Sequence, residues 1–143
     1  DTAVVQVSLP LTSLDQLVQF GEALKPLRDE GVLIIGSGGS VHNLRTLKVS
    51  GSPEPWVVEF EQWLQAAIEG NRFDDLITAE SLPKHFPHAH PTIEHYAPII
   101  VAWAAGNRHQ AGKCLYRGYS HGNLGISHYA FGLDHMSLPG IQL

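Results

Sequence analysis

The pattern of hydrophobic and polar residues predicts that the chain opens with two strands separated by a helix. Residues 3–9 and 32–36 are short runs rich in valine, isoleucine and leucine, as in the strands of a sheet. Residues 13–30 instead repeat apolar side chains at helical spacing. A connection of this length favours two parallel, neighbouring strands joined by a right-handed crossover. We therefore predict an α/β fold with a mixed or mostly parallel sheet flanked by helices.

Local signals mark the ends of this first helix. Ser13 and Gln16 form a capping-box pattern at its start, and Gly31 is a suitable stop at its end. Pro26 should kink or end the helix, because proline lacks the N–H group that the preceding turn needs.

Three further helices are predicted along the chain. They cover residues 55–70, residues 73–80 and residues 92–106, and Thr92 is the expected N-cap of the last one. Residues 115–131 contain short apolar runs that predict strands or sheet edges.

A cluster of glycine and serine follows the second predicted strand, at residues 36–40. It lacks the lysine of a phosphate-binding Walker loop and the third glycine of a dinucleotide-binding loop. Ser37 and Ser40 also lie outside the Gly-x-Ser-x-Gly elbow of hydrolases. His42 then lies just beyond the carboxyl end of the strand, where open α/β sheets bind their ligands. A titratable side chain there favours chemistry over a phosphate cradle.

Composition restricts the class of protein. With 143 residues, 43% of them hydrophobic and 16% charged, the chain is long and apolar enough for one domain, residues 1–143. A net charge of -5 and the absence of basic runs argue against nucleic acid or an anionic membrane as the main partner. No apolar run is long enough for a membrane span. A single cysteine, Cys114, fits a cytoplasmic protein.

Histidine is the enriched residue type, with nine in the chain. This enrichment favours metal binding or acid/base chemistry. Prolines should hold His85, His88 and His90 in a loop, and their spacing matches neither a zinc finger nor a His-Glu-x-x-His helix. Glu94 and His95 should occupy the first turn of the last helix, where adjacent side chains point about 100° apart. One of these two residues can therefore face a metal ion.

Two separated motifs carry a family resemblance. Residues 31–38 (GVLIIGSG) followed by residues 42–45 (HNLR) form the first, and residues 90–98 (HPTIEHYAP) form the second. Residues 73–76 (FDDL) and 127–132 (SHYAFG) also fit the same pattern. Together they resemble the carboxyl-terminal half of class III extradiol ring-cleavage dioxygenases, in the 4,5-DOPA extradiol dioxygenase-like branch.

The resemblance implies an enzyme that opens catechol rings with O2 at a non-haem Fe(II) centre, for which zinc is a possible substitute. It implies that His42 is the acid/base residue and that His95 is a metal ligand, with Glu94 as the fallback ligand. Neutral imidazole suits iron or zinc, and a histidine can take a catechol proton and return it. The candidate substrate-binding residues are Ser37, Asn43 and His128.

The resemblance also implies two further metal-ligating histidines, which belong to an amino-terminal half that the present sequence does not contain. We therefore expect the chain to be part of a larger single-domain dioxygenase fold and to be inactive or incomplete alone. We also expect it to form a homo-oligomer or to pair with a complementing amino-terminal half. The alternative is a non-catalytic α/β binding or assembly module whose histidines hold structural zinc or no metal.

Overall fold

The structure is a computed structural model that describes residues 2–10, 13–79 and 85–133. Its α-helices are α1 (Leu14–Leu24), α2 (Pro55–Glu69), α3 (Phe73–Ile77), α4 (Phe86–Ala89) and α5 (Ala97–Asn107). Short 3-10 helices cover Lys25–Arg28 and Leu44–Thr46. The strands are β1 (Lys113–Tyr116), β2 (Tyr119–Ser120), β3 (Leu124–Gly125) and β4 (His128–Ala130).

Helices α1, α2 and α5 enclose the hydrophobic core. Phe60 and Leu64 of α2 and Trp103 of α5 are almost completely buried. Helix α1 approaches α5 closely because Gly21 has no side chain: a Cβ atom there would lie 2.7 Å from the Cβ atom of Ala104. The core is therefore helical, and the small sheets lie at its margin.

The predicted signals of α1 are confirmed. The Ser13 side chain accepts a hydrogen bond from the backbone N–H of Gln16 at 3.3 Å, which caps the first turn. The α-helix ends at Leu24, and the chain continues as a 3-10 turn that contains Pro26. Gly31 has a φ of +82°, a conformation that favours glycine. Proline and glycine thus end this helix in the predicted order.

Two other predictions need correction, the start of the last helix and the loop around residues 85–90. Helix α5 begins at Ala97, not at Thr92, because the Thr92 hydroxyl bonds the Glu94 carboxylate and caps no backbone N–H group. Residues 94–96 form a turn before the helix, so His95 precedes its first residue. Residues 86–89 of the predicted histidine loop form the single turn α4, since a proline is tolerated in the first turn of a helix.

The ends of helices α2 and α3 agree more closely with the bounds predicted from the sequence. Helix α2 spans Pro55–Glu69 with Gly70 as its C-cap, as predicted. Helix α3 begins at Phe73 as predicted and ends at Ile77, so it is shorter than expected. The predicted end at Glu80 lies outside the described residues.

The mixed α/β class is confirmed, but the expected parallel strand pair is wrong for the described residues. Strands β1 and β4 pair antiparallel, as do β2 and β3. Residues 3–9 and 32–36 are not assigned as strands. Their apolar side chains are instead largely exposed, with Val4 at 89% and Ile35 at 77%. An apolar run indicates that a segment suits burial in a sheet, but it does not identify the segment that pairs with it.

None of the helices in the described parts of the chain has the length and hydropathy needed to cross a membrane.

Candidate functional site

The two histidines that the sequence motifs single out lie against each other. The imidazole rings of His42 and His95 stack, with centroids 3.3 Å apart and an angle of 15° between the ring planes. Both side chains are partly buried. His42 follows the glycine cluster and His95 precedes α5, so the fold joins two motifs that are far apart in the sequence.

Glycine allows the chain before His42 to run directly over the start of α5. A Cβ atom on Gly36 would collide with the carbonyl oxygen of Pro98, and one on Gly38 would collide with the carbonyl oxygen of His95. Neither glycine has a positive φ, so their role is close approach of two backbones. The glycine cluster thus serves to bring His42 and His95 together.

Hydrogen bonds to distant parts of the chain hold the residues around His42. The backbone N–H of His42 donates to the carbonyl of Ala89 at 3.0 Å. The carbonyl of Val41 accepts from the backbone N–H of Gly125 at 3.1 Å. We call residues 40–43 the site loop, because hydrogen bonds to the segments of Ala89 and Gly125 hold them in place.

Asn43 also stabilises the site loop. Its side-chain amide donates to the carbonyl of His88 at 2.7 Å, and its side-chain oxygen accepts from the backbone N–H of Arg45 at 3.1 Å. The second bond caps the short helix Leu44–Thr46. Both ends of this buried amide are therefore engaged by protein groups, and its substrate-binding role stays a prediction.

A buried carboxyl group lies behind the site loop. Glu61 of α2 has no exposed surface, and its two carboxyl oxygens accept hydrogen bonds from the hydroxyls of Ser40 and Ser127. The backbone N–H of Ser127 donates to the Ser40 hydroxyl at 3.1 Å. Burial raises the pKa of Glu61 above its ordinary value, against the opposing effect of the two serine hydrogen bonds.

His90 holds the other side of Ser40. Its Nε2 atom lies 2.8 Å from the Ser40 carbonyl oxygen, and this oxygen can only accept, so Nε2 carries the proton. Burial lowers the pKa of His90 to about 4, and the ring is therefore neutral at neutral pH. Its Nδ1 atom is buried without a hydrogen-bond partner among the described residues. His90 thus supports the site loop, and it is close enough to His95 and His42 for their charges to influence its pKa.

Electrostatics favour a neutral ring at His95. Partial burial lowers the pKa of His95, and the adjacent His42 adds to this effect, while Glu94 opposes it. A neutral imidazole has the free lone pair that a metal ion requires. Glu94 is exposed, and the hydrogen bond from the Thr92 hydroxyl lowers the pKa of its carboxyl group.

An open cleft of about 1400 Å³ adjoins the histidine stack. His95, Ser37 and His128 line it together with the apolar residues 32–35. Ser37 and His128 are both exposed. The structure thus brings two of the three candidate substrate-binding residues to the same cleft as His95, whereas Asn43 and His42 are not among the residues that line it.

The donor set for a metal ion is incomplete in the described residues. Within residues 2–10, 13–79 and 85–133, no three histidine, cysteine, aspartate or glutamate side chains are grouped to hold a metal. His95 fits as one imidazole ligand, whereas a facial three-ligand site needs two more donors. The described residues therefore fit one part of such a site and not the whole of it.

Sequence reasoning missed Glu61. It lies four residues after Val57 and three before Leu64, both fully buried, so it occupies the apolar face of α2. A charged residue within such a stripe is the signal that could have identified it.

Comparison with known proteins identifies the family. A family model described as the catalytic LigB subunit of aromatic ring-opening dioxygenase matches residues 2–132. The chain belongs to this family, as the sequence motifs predicted.

Within the family, the chain is similar to proteins named 4,5-DOPA dioxygenase extradiol. The protein of this name from Portulaca grandiflora is 39% identical over 135 residues, which cover 92% of this chain and 49% of that protein. The one from Mirabilis jalapa is 36% identical over 113 residues, or 78% of this chain and 42% of that protein. The chain thus spans about half the length of the curated relatives that it matches.

A solved structure shows the same relation in three dimensions. An uncharacterized protein from Escherichia coli K12 superposes with a TM-score of 0.71 and 27% sequence identity. The match covers 82% of this chain and 50% of that protein. The present fold is therefore shared with one half of a longer chain.

Proposed function

We propose that this chain contributes the proton-transferring histidine and one metal ligand to an extradiol dioxygenase centre that opens catechol rings with O2. The observation that carries this proposal is the stack of His42 on His95 beside the cleft, in a chain that belongs to the ring-opening dioxygenase family. The names of the relatives favour a DOPA-like catechol as the substrate.

In this proposal His95 holds the metal ion and His42 handles protons. Bound Fe(II) supplies the chemistry by which O2 and a catechol react, and zinc is a possible substitute that takes the same imidazole ligand. His42 accepts a proton from a catechol hydroxyl and later returns it, which requires the ring to lie within hydrogen-bonding reach of the substrate. Glu94 is the fallback ligand because it directly precedes His95 in the chain.

Ser37 and His128 bind the substrate in this proposal. Both are exposed on the cleft, and both carry groups that can form hydrogen bonds with catechol hydroxyls. The apolar residues 32–35 contact the aromatic ring, because they line the same cleft.

The exposed apolar segments 3–9 and 32–36 support the expectation that the chain does not act alone. Exposed apolar segments of this kind favour pairing with another strand or another chain. The expected partner is a second copy of the chain, in a homo-oligomer, or a complementing amino-terminal half, and residues 1–143 then form part of one larger domain. A monodisperse monomer in light scattering at micromolar concentration would contradict the homo-oligomer. Cytoplasmic location and the absence of a nucleic-acid partner also remain predictions.

Metal titration tests the assignment of the two histidines. We expect His95→Ala to abolish most of the binding of Fe(II), measured anaerobically by calorimetry, and His42→Ala to preserve most of it. His109→Ala is the matched control, because His109 is exposed and lies beyond the end of α5. Equal loss in the His42 and His95 variants would contradict the division of roles.

Ring cleavage tests the expected incompleteness. The isolated chain with added Fe(II) should convert little or no DOPA to a yellow ring-opened product under air, because the described donors do not complete a facial site. Efficient turnover by the chain alone would overturn this expectation. A folded chain that binds neither Fe(II) nor zinc would instead favour the non-catalytic α/β module.

A further inference from the structure

The hydrogen bonds around Glu61 form a closed ring of three residues. The carboxyl group bonds the hydroxyls of Ser40 and Ser127 through separate oxygens, and the Ser127 backbone N–H donates to the Ser40 hydroxyl. Gly125 makes room for this arrangement, because a Cβ atom there would collide with a Glu61 oxygen. The ring joins α2 to two other parts of the chain at a single buried point.

Each serine in this ring is close in sequence to a histidine of the candidate site. Ser40 begins the site loop and lies two residues before His42, and Ser127 immediately precedes His128. The bridge between Val41 and Gly125 lies beside the ring and joins the same two segments. Glu61 and this bridge therefore both connect the segment of His42 to that of His128.

The other groups near Glu61 do not replace these contacts. Arg117 is exposed and acts on the carboxyl group only through its charge, as an opposing influence on the pKa. Tyr119, Tyr129 and Cys114 interact with Glu61 electrostatically, and none of them forms one of its described hydrogen bonds. The two serines are thus the contacts through which Glu61 can act on the site.

We infer that Glu61 is a positioning residue, which fixes His42 and His128 relative to each other across the candidate site through Ser40 and Ser127. This inference rests on the proposed function for its relevance to catalysis. The buried carboxyl group is suited to this role because it accepts from both serines at once and is held rigidly by the packed face of α2. A leucine of similar size would fill the volume and remove both bonds.

Histidine NMR tests the inference without metal or substrate. In protein labelled with 13C-histidine, Glu61→Leu should shift the ring resonances of His42 and His128, which are assigned with the His42→Gln and His128→Gln variants. Glu61→Gln should restore both resonances close to their original positions, because the amide can accept from one serine and donate to the other. The resonance of the exposed His109 should not change in either variant.

Glu59 supplies a matched control on the same helix. Its carboxylate pairs with the Nε2 atom of His85 at 2.7 Å on the exposed side of α2. Glu59→Leu should therefore shift the His85 resonance and leave His42 and His128 in place. A general loosening of α2 would instead affect all three histidines, so this pair of variants separates positioning from loss of stability.

Amide exchange gives a second measurement. Protection of the Ser127 and Gly125 N–H groups should fall about tenfold in Glu61→Leu, while protection in the centre of α5 changes little. If Glu61→Leu does not fold, Ser127→Ala removes only the hydrogen bond between Ser127 and Glu61. This variant should shift the His128 resonance more than the His42 resonance. Unchanged His42 and His128 resonances in a folded Glu61→Leu protein would overturn the inference, as would failure of Glu61→Gln to restore them. Failure of the folded chain to bind Fe(II) or zinc would overturn the proposed function and leave this result intact.

Discussion

A methyl group at Gly38 should push the site loop away from the start of α5. The Cβ atom of an alanine there would collide with the carbonyl oxygen of His95 and lie 3.1 Å from the Cγ atom of Pro98. Neither obstacle is the far end of a flexible side chain, so one backbone segment must move. Gly38→Ala therefore tests whether the stack of His42 on His95 depends on the contact between these two segments.

Comparison with the neighbouring Gly39 gives the expected loss of stability in Gly38→Ala. At Gly39 an added Cβ atom would lie 3.4 Å or more from every neighbour, at ordinary contact distance. Both substitutions reduce the freedom of the unfolded chain equally, which stabilises the fold by about 0.4–1 kcal/mol. Their difference therefore isolates the collision, and overpacking of this kind costs about 1–3 kcal/mol. For a chain of this size, that difference corresponds to about 3–10 °C in melting temperature.

Thermal unfolding followed by circular dichroism measures this difference, and histidine NMR reports the stack. The Gly38→Ala protein should have a melting temperature lower than that of the Gly39→Ala protein by about 3–10 °C. Its His42 and His95 resonances should also shift from their positions in the original protein. Equal melting temperatures and unchanged resonances would refute the argument that these two backbones meet at Gly38.

Three other substitutions test separate features of the fold. The Glu61→Gln protein should become more stable relative to the original protein as the pH rises above 4.5. The raised pKa of Glu61 means that its protonated form stabilises the fold at low pH, and this contribution is lost as the carboxyl group ionises. Urea unfolding between pH 4 and 8 measures the difference in free energy of unfolding. Tyr96→Phe should cost about 0.5–1.5 kcal/mol in the same assay, since it removes the 2.9 Å hydrogen bond from the Tyr96 hydroxyl to the Leu76 carbonyl, which still accepts from the backbone N–H of Ala79. Ser13→Ala should cost about 1 kcal/mol by removing the bond to the Gln16 N–H, and Ser13→Asn should retain most of that stability.

The sequence predicted those features that depend on local signals. The cap at Ser13, the break at Pro26 and the helix that begins at Pro55 follow from the properties of single residues and their near neighbours. The family motifs likewise identified His42 and His95, which the structure places in contact. These predictions required no knowledge of how distant segments pack.

The features that could not be predicted depend on tertiary contacts. Val4 and Ile35 lie in segments with the composition of buried strands, yet both side chains are exposed. The local sequence of a segment does not show which other segment will cover it, so this exposure could not be predicted. Thr92 matched an N-cap pattern but bonds Glu94 instead. The role of Glu61 depends on Ser40 and Ser127, which only the folded chain brings together.

The bonds of the site loop have a consequence for the entropy of substrate binding. Ser40, Val41, His42 and Asn43 are each tied to segments between residues 61 and 127 before any ligand arrives. The conformational entropy of ordering these residues is therefore lost during folding. In the proposed function, a catechol that binds beside His42 would not have to order the loop again, so more of its contact energy would remain for affinity and alignment.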